Sequence, residues 1–493
     1  MILIDINTSS NQPYYLQIIT QIGALIDNGG LRTGDRLPPT RQLAQQLGVH
    51  RSTVVRAYDE LWALGYLHSR QGAYSTVRQK VKITQVPHHR QPGDFQWQRA
   101  LSEPAVKAIS QVWPSSSGNA KTEAFDFESF ELDPRMIPLE TIRKSINHAL
   151  CDEGTALLQY GPSAGYGPLR ELIARRLAVH AIHVEADEIL ITHGAQHGLD
   201  IVLRMLTSPG DAIVVEDPTY GLFLPLATAH GVRTLGVPMQ ETGLDLDKLE
   251  LLLHQHDVKL IYTMPNFHNP TGITTDQAHR ERLLQLCETH NVIIIEDAFD
   301  EEMKYFGRVP LPIKSMDKKG LVLYLGTFSK VLSPGMRLGW IAAPKPCIEP
   351  MTQFRRALDL SSPLPLQAAL TRLLRRDDFE KHIKRLHRAF RHRMQTAIRV
   401  LKTELPEAVL WHPPSGGYLL WLTLSGLNLP EAKVINTLAN GGVRVSPGSR
   451  FTINPTPWVS LRLSISQRDE TEIEQGLTTL CHLLQTLYQE AQS

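Results

Sequence analysis

Apolar residues in the first part of the chain recur at the three- and four-residue spacing of amphipathic helices. This pattern predicts helices over 14–27, 41–47 and 50–64. Thr40 stands where it could cap the second helix, and the third helix has an apolar stripe that we expect to be buried and to end at Leu64. The short spacing between the last two helices indicates a helix-turn-helix.

Two short β-rich runs follow, at 66–69 and 74–77, and a basic, glycine-containing turn at 70–73 separates them. Such a pair predicts a hairpin. A hairpin directly after a helix-turn-helix is typical of a winged helix-turn-helix, which we assign to residues 1–78 as an α+β DNA-binding domain.

The periodicity then fades into Gln, His, Pro and Ser over 79–124, which we interpret as a linker with one possible short helix at 95–112. From 125 to 493, short apolar β-rich runs alternate with helical ones. This alternation predicts a mostly parallel α/β sheet. The predicted strands are 189–192, 212–216, 260–264, 292–296, 322–325 and 340–343.

The C-terminal part of the chain returns to a mixed pattern. Helical spacing covers 379–405 and 470–489, and short β-rich runs lie between these segments and predict a small α+β domain. We divide the body into a large domain at about 155–375 and a small domain built from about 125–154 and 376–493. The short β-rich runs are 417–422, 443–446 and 459–464.

Charge separates the chain into two parts. The 493 residues contain 51 basic and 50 acidic side chains, a formal charge of +1. Residues 1–90, however, have ten Lys+Arg against five Asp+Glu, or +5, which leaves 41 against 45, or −4, for the remainder. A basic segment before a mildly acidic body favours contact with a phosphate backbone at the N-terminal end only.

Several protein classes are disfavoured by composition. No apolar run approaches the length of a membrane span, and residues 1–10 lack the basic residues of a signal peptide. The four cysteines are far apart and form no CxxC pair, so neither a disulfide framework nor a metal site is expected. We therefore expect a cytoplasmic protein without membrane contact. The cysteines are Cys151, Cys287, Cys347 and Cys481.

The runs GDRLPPTRQLA at 34–44 and LGVHRSTV at 47–54 resemble the GntR family of bacterial regulators. The resemblance implies that Arg41 and Arg51 contact double-stranded operator DNA. An Arg at the start of a recognition helix is suited to bidentate guanine contact, so we expect Arg51 to read bases and the other arginines to bind phosphates. The complete set of predicted DNA-binding residues is Arg41, His50, Arg51, Ser52, Thr53, Arg56, Arg70 and Gly72.

Chemically useful residues stand where the predicted strands of the body end. In a parallel sheet these ends lie at one edge, where ligands bind. Asp297 ends the fourth strand, and a glycine-bounded loop after the fifth strand holds Lys330 and Arg337. Taken singly, a strand-end Asp is more often a helix cap and a lone Lys a solvated side chain. Their order along the chain, at the ends of the predicted strands, favours a functional role.

This order resembles the class I aminotransferases of the fold type I family, which use pyridoxal 5'-phosphate (PLP). The resemblance implies that Lys330 forms the internal aldimine with PLP and that Asp297 pairs with the pyridinium nitrogen. It also implies that Arg462 binds the carboxylate of an effector. The other residues implied to bind the cofactor are Gly194, Ala195, Gln196, Tyr220, Asn269, Thr327, Ser329 and Arg337, with Tyr160 reaching it from a partner subunit.

One residue departs from the family pattern. Two positions after the ring-binding Asp, the family usually has a tyrosine that donates to the cofactor's phenolic oxygen, and here that residue is Phe299. The loss of one neutral donor changes binding by about 0.5 to 1.5 kcal/mol, which is too little to prevent cofactor binding. We expect PLP binding with at most residual transaminase activity.

The two resemblances together are those of a MocR/GabR-type regulator, a GntR-like domain joined to an aminotransferase-like body. We therefore expect a homodimeric regulator that senses PLP, or an amine or amino-acid effector, through an aldimine at Lys330. Two alternatives stay open. The chain could be a PLP-dependent aminotransferase with an appended DNA-binding domain, or the body could serve as a dimerisation platform with a vestigial pocket.

Overall fold

The computed structural model describes residues 3–10, 12–68, 74–78, 97–113, 125–299, 302–307 and 310–492. The chain divides into two compact units, Met1–Arg99 and Ala100–Ser493. None of the helices in these described ranges is long and apolar enough to cross a membrane.

The N-terminal unit is a small winged helix. Its helices bury one apolar core that includes Ile18, Leu43, Val54 and Leu61. The hairpin is antiparallel and pairs Leu67 with Val77. The elements are α1 (Tyr14–Asp27), α2 (Thr40–Leu47), α3 (Arg51–Ala63), β1 (Leu67–His68) and β2 (Thr76–Val77).

Two details of this unit differ from the prediction. Thr40 does not cap α2, because it is already the first helical residue and Pro39 precedes it without a side-chain cap. Leu64 is 57% exposed, since α3 ends at Ala63 and the chain turns there; Tyr58 is buried in the core instead. The predicted wing residues Arg70 and Gly72 lie outside the described residues.

The predicted helix at 95–112 is two helices. Ser102 accepts a hydrogen bond from the amide of Ala105, and Pro104 stands in the first turn, so a new helix starts there. The helices from this point are α4 (Trp97–Ala100), α5 (Glu103–Gln111), α6 (Leu139–Glu153), α7 (Gly167–Val179), α8 (Ala195–Leu206), α9 (Phe223–Ala229), α10 (Leu246–Gln255), α11 (Gln277–His290), α12 (Ile313–Met316), α13 (Lys345–Asp359), α14 (Leu364–Arg375), α15 (Asp377–Glu404), α16 (Glu431–Asn440) and α17 (Glu470–Gln492).

The body is built around a large mixed sheet and a smaller antiparallel one. The strands are β3 (Phe125–Asp126), β4 (Ile189–Thr192), β5 (Ala212–Asp217), β6 (Arg233–Gln240), β7 (Gly243–Leu244), β8 (Val258–Thr263), β9 (Ile293–Asp297), β10 (Val322–Thr327), β11 (Gly339–Ala342), β12 (Val409–Leu410), β13 (Leu419–Leu424), β14 (Val443–Arg444), β15 (Ser446–Pro447) and β16 (Ser460–Ser464).

The large sheet has the strand order β4-β11-β10-β9-β8-β5-β6-β7. The pairs from β10 to β6 are parallel, and β11 runs antiparallel to both of its neighbours. The carboxyl ends of β4, β5, β8, β9 and β10 therefore meet at one edge, as the predicted fold class requires. The smaller sheet has the order β12-β13-β16-β15, and the long helices α15 and α17 pack together.

Candidate functional site

A cavity of about 770 Å³ opens at the carboxyl edge of the large sheet. Its size is within the range of small-molecule and cofactor sites. Strand ends that are far apart in sequence contribute to its wall because the parallel strands terminate together. The lining residues that the sequence had also indicated are Ala195, Gln196, Tyr220, Asn269, Asp297, Thr327, Ser329, Lys330, Arg337 and Arg462.

Asp297 lies at the floor of this cavity, with 3% of its surface exposed. Its Oδ2 accepts a 2.8 Å hydrogen bond from the Tyr262 hydroxyl, while Oδ1 is buried without a protein partner. Burial raises the pKa of Asp297 to about 6, against the opposing effects of the Tyr262 hydroxyl and the Lys330 charge. A buried acceptor without a partner is costly, so this oxygen is suited to a ligand cation or N–H group.

Lys330 stands on the loop after β10. Its Nζ donates to the carbonyl of Phe130 (2.5 Å) and lies 4.0 Å from the centre of the Phe130 ring. Nearby, Asn269 is 3% exposed, and its Oδ1 has no protein partner. The amine, the carboxylate of Asp297 and the amide of Asn269 therefore line the same cavity.

The other end of the cavity has the features of an anion site. Gly194 precedes α8 with φ +82°, and a side chain there would meet the Arg337 guanidinium at 3.0 Å. Arg337 donates to the carbonyl of His193 at 2.9 Å. The hydroxyls of Thr327 and Ser329 are 3.0 Å apart. Amides at a helix start, hydroxyls and an arginine together form a suitable phosphate site.

His193, His197 and Asp359 form the one group in the described residues whose ligand atoms are close enough to hold a metal ion, within 4.8 Å of one another. Protein partners already use these atoms. His193 Nε2 lies 2.9 Å from Asp359 Oδ2, His197 Nδ1 accepts from the His193 amide, and Arg355 binds Asp359 Oδ1. Burial lowers the pKa of His197 to about 4. We interpret this group as a structural support for the loop that carries Gly194 at the anion-binding end of the cavity.

Arg462 is the buried cation of the cavity, with 7% of its surface exposed. Burial lowers its pKa to about 10, so it stays charged at neutral pH. Its Nη2 donates to the carbonyl of Glu128 (2.5 Å) and to Ser446 Oγ (2.9 Å), but Nε has no protein partner. The rings of Phe130 and Phe451 lie 5.7 and 5.0 Å from the guanidinium carbon. These surroundings favour a planar anion such as a carboxylate.

The sequence reasoning missed a second group on the cavity wall. Glu128 forms ion pairs with both Arg444 and Arg450, and Trp113 lies 4.7 Å from the Arg450 guanidinium carbon. Trp113 belongs to the predicted linker, yet it and Gln111 line the cavity, because α5 packs against α9. No periodicity or strand-end position marked these residues, so only the fold brings them together. Tyr262 was missed for the same reason.

Phe299 lines the cavity as well, with 8% of its surface exposed. Its ring packs edge-on against Phe130 at a centroid distance of 5.8 Å. The position therefore presents an apolar edge where the family usually has a hydroxyl. Tyr160 is 83% exposed and does not line this cavity, which leaves its predicted contact with a partner subunit as a prediction.

The recognition helix α3 of the N-terminal unit exposes the residues predicted to contact DNA. Arg51 is exposed, and its Nε donates to Thr40 Oγ1 at 3.4 Å. His50 caps the helix through Nδ1, which accepts from the Ser52 amide and lies 2.6 Å from Ser52 Oγ. Arg56 stacks on the ring of Tyr15, 3.9 Å from its centre. Arg41 is exposed on α2, and Thr53 is partly buried.

The residues around the cavity fit PLP. The buried carboxylate of Asp297 matches a protonated ring nitrogen, and the buried amide of Asn269 matches the phenolic oxygen. Lys330 matches an aldehyde, and the loop around Gly194 and Arg337 matches a phosphate. The partnerless Oδ1 atoms of the two acceptors carry this fit, because a folded protein rarely leaves such atoms unpaired.

Comparisons with known proteins agree with both halves of this description. Residues 130–480 match the aminotransferase class I and II family, and residues 14–77 match the gntR family of bacterial regulatory proteins. The HTH-type transcriptional regulator YisV of Bacillus subtilis (strain 168) is 30% identical over 95% of this chain and 95% of its own. The probable rhizopine catabolism regulatory protein MocR of Rhizobium meliloti is 27% identical over 97% of this chain and 95% of its own.

Among solved structures, LysN, an α-aminoadipate aminotransferase of Thermus thermophilus, superposes with a TM-score of 0.73. It is 29% identical, and the match covers 80% of this chain and 99% of LysN, which was solved in complex with N-(5'-phosphopyridoxyl)-L-leucine. The chain therefore belongs to the family of class I and II aminotransferases and begins with a GntR-type DNA-binding domain. This combination makes it a transcription regulator of the MocR type.

Proposed function

We propose that the body of this regulator binds PLP and senses either PLP itself or an amine or amino-acid effector captured at the cofactor that Lys330 anchors. The observation that supports this most strongly is the set of buried polar atoms without protein partners in one cavity, Asp297 Oδ1, Asn269 Oδ1 and Arg462 Nε. A vestigial pocket has no reason to keep one atom of an acidic side chain and one of a basic side chain without partners, because each unsatisfied atom destabilises the folded chain.

Each of these residues has a defined task. Bound PLP supplies an electron-withdrawing ring and a carbonyl that links reversibly to primary amines. Asp297 would hold a proton on the ring nitrogen, and Lys330 would supply the amine that anchors the cofactor. Arg462 binds the effector carboxylate and fixes its orientation, while Phe130 and Phe451 exclude water from that ion pair.

The effector signal has a physical route toward the N-terminal end of the chain. The segment from α5 to Trp113 precedes the body in sequence, and Gln111 and Trp113 form part of the cavity wall. Trp113 rests on Arg450, whose partner Glu128 also supplies the carbonyl that binds Arg462. An effector carboxylate at Arg462 would therefore change the surroundings of this segment through Glu128 and Arg450. Such coupling is reciprocal, so DNA must alter effector affinity by the same factor.

The N-terminal unit contacts the operator. We assign base reading to Arg51 and phosphate contacts to Arg41, and to Arg56 where it stacks on Tyr15. His50, Ser52 and Thr53 define the start of the helix that enters the groove. A DNA partner places this regulator in the cytoplasm.

We further propose a homodimer. Tyr160 is 83% exposed on the segment that follows the 3₁₀ turn Gly154–Leu158, and a partner's cavity is the site where the family places this residue. A symmetric dimer would recognise two repeated half-sites. Sedimentation tests this proposal: a monomer at working concentration contradicts it, and a dimer whose cofactor affinity falls in Tyr160→Phe supports the role of the hydroxyl.

The decisive experiment compares operator affinity with and without PLP, and with and without an amine effector, in the wild-type chain and in Lys330→Ala. Genomic fragments selected by the full chain provide the operator. We expect PLP or effector to change wild-type affinity and to have no such effect in the variant. Matched cofactor absorbance spectra show whether the variant still holds PLP non-covalently. If neither ligand nor variant alters affinity, the body is a dimerisation platform.

A second candidate function is transamination. The retention of Asp297 hydrogen-bonded to Tyr262, together with Asn269, favours it. Phe299 disfavours it, because the chain lacks the hydroxyl that tunes the cofactor oxygen. Incubation of the purified chain with amino acids and a 2-oxo acid distinguishes the two. Many turnovers per cofactor establish an enzyme, whereas a single half-reaction or none supports a sensor.

A further inference from the structure

The long helix α15 concentrates positive charge on an otherwise mildly acidic body. Residues 381–402 contain eight Lys+Arg and no Asp or Glu, whereas the chain after residue 90 has a net charge of −4. A run of like charge within one helix destabilises it by repulsion. Its presence therefore suggests a ligand of opposite charge.

Burial divides this helix into two faces. Leu386, Phe390 and Met394 are completely buried in the main core of the body. The opposite face exposes basic side chains at spacings of three and four residues, which places them in a single stripe. The exposed basic residues of this stripe, here called the α15 stripe, are Lys381, Lys384, Arg385, Arg388, Arg391 and His392.

The cations of α15 differ in how they are paired. Arg393 points inward and binds Asp133 at 2.7 Å, and Arg399 binds Glu474 at 3.0 Å. Among the carboxylates whose side chains the structure describes, which do not include Asp377, none lies within ion-pair distance of Lys381, Lys384 or Arg388. Arg393 and Arg399 are thus neutralised within the protein, whereas Lys381, Lys384 and Arg388 face solvent.

The dimensions of the stripe match a short stretch of duplex DNA. From Lys381 to His392 it is about 17 Å long, since a helix rises 1.5 Å per residue. That length corresponds to about five base pairs, a stretch over which one strand presents a phosphate at every step. The apolar face of α15 is already buried, so the helix has no apolar surface with which to enter a lipid bilayer.

We propose that the α15 stripe is a second, sequence-independent DNA surface, which binds the phosphate backbone of duplex outside the bases read by the recognition helix. The proposal rests on DNA binding by the N-terminal unit and not on effector sensing. Residues 79–96 can extend over at most about 65 Å, so duplex bound by that unit is held at high local concentration near the body. At such a high local concentration of DNA, even weak phosphate contacts add to the affinity.

The test measures binding of the full chain to a fluorescent duplex of arbitrary sequence, about 60 bp long, at salt concentrations from about 50 to about 200 mM. The test variant combines Lys381→Gln, Lys384→Gln and Arg388→Gln, which preserve helix propensity and remove three charges. If all three residues contact phosphates, the slope of log affinity against log salt should decrease by about 2.7. At the lower salt concentration we expect the α15 variant to bind the duplex about tenfold more weakly than the wild type.

A matched control combines Lys318→Gln, Lys433→Gln and Arg233→Gln, which remove the same charge from exposed positions elsewhere on the body. Equal affinities of the two triple variants would overturn the proposal. Arg51→Ala serves as the control for the N-terminal unit. If Arg51→Ala lowers DNA affinity and the α15 variant does not, the α15 stripe is not a DNA surface, while DNA binding by the N-terminal unit stands. Capture of the wild-type chain by phosphatidylglycerol vesicles, lost in the α15 variant while DNA affinity is kept, would assign the stripe to membranes instead.

Discussion

The two binding regions of this protein handle charge in opposite ways. The recognition helix α3 exposes Arg51 to solvent, and Arg51 Nε makes a long, 3.4 Å contact with Thr40 Oγ1. The cavity of the body buries Asp297 and Arg462, which are 3% and 7% exposed, and leaves one polar atom of each unpaired. The first region therefore meets its ligand at an exposed surface, and the second meets it at side chains that the fold has largely buried.

This difference determines what each region can do. Salt screens the interactions between exposed charges that are more than about 10 Å apart. Exposed side chains also rearrange easily, so a surface that carries them binds many DNA sequences. Buried charges interact more strongly and with fixed geometry, but they require a partner of matching shape and sign. A regulator gains from having both, because a selective site can then control a less selective surface.

The largest expected effect is a difference in salt dependence between DNA binding and cofactor binding. Raising salt from about 50 to about 200 mM should weaken DNA binding about a thousandfold if a dimer makes six phosphate contacts. Cofactor affinity should change only a few-fold, since its ion pairs are buried. Fluorescence anisotropy for DNA and absorbance titration for PLP, in the same buffers, measure both. Parallel losses would show that the cavity is not shielded from solvent.

Asp297→Asn should reduce PLP affinity about a hundredfold at pH 8, because the ring nitrogen loses a buried anionic partner. Burial raises the pKa of Asp297 to about 6. Below that pH the carboxyl group of the cofactor-free protein holds a proton that must leave on binding, so wild-type affinity should fall as pH decreases through 6. The variant has no such proton, and its affinity relative to wild type should recover at low pH. A constant ratio from pH 5 to pH 8 would contradict the assignment.

Arg51→Ala should weaken specific DNA binding by about 1 to 3 kcal/mol and leave the cofactor absorbance unchanged. The matched control is Arg51→Lys, which keeps the charge but loses the planar, two-pronged donor set. We expect the Lys variant to bind arbitrary duplex normally and to lose discrimination between operator and other sequences. If both variants bind the operator as the wild type does, base reading belongs to another residue.

The smallest expected effect is that of Phe299→Tyr. The added hydroxyl should change cofactor affinity by about 0.5 to 1.5 kcal/mol, the value of one neutral hydrogen bond. It should also shift the pH at which the visible absorbance changes. Phe299→Leu is the control, since it alters packing against Phe130 without adding a donor. Equal shifts in both variants would assign the effect to packing.

Much of the fold was predictable because its signals are local. Apolar spacing located α1 at Tyr14–Asp27 and β4 at Ile189–Thr192, both at the predicted boundaries. The errors occurred at helix boundaries, where the adjacent residues decide in which position the helix begins. Thr40 was predicted as a cap but became the first residue of α2, and the segment at 95–112 split at Ser102 because a new cap and a proline compete with helix continuation.

The candidate site was predictable to the extent that it follows strand ends. Lys330, Asp297 and Asn269 were identified from their order along the chain, and the fold brings them to one cavity. The hydrogen bond from Tyr262 to Asp297 and the contact of Trp113 with Arg450 were not predicted. Both join residues tens to hundreds of positions apart, and no spacing rule applies over such separations.

The sequence alone determined the classes of chemistry: a basic N-terminal segment with helix-turn-helix periodicity, and a body with a lysine, an aspartate and arginines at strand ends. Only the tertiary structure decided how each charge is used, because burial and unpaired atoms depend on distant parts of the chain. It buried Asp297 and Arg462 in the wall of one cavity and left the α15 stripe exposed. The same residue types acquire different roles there, since solvation sets the strength of every charge they carry.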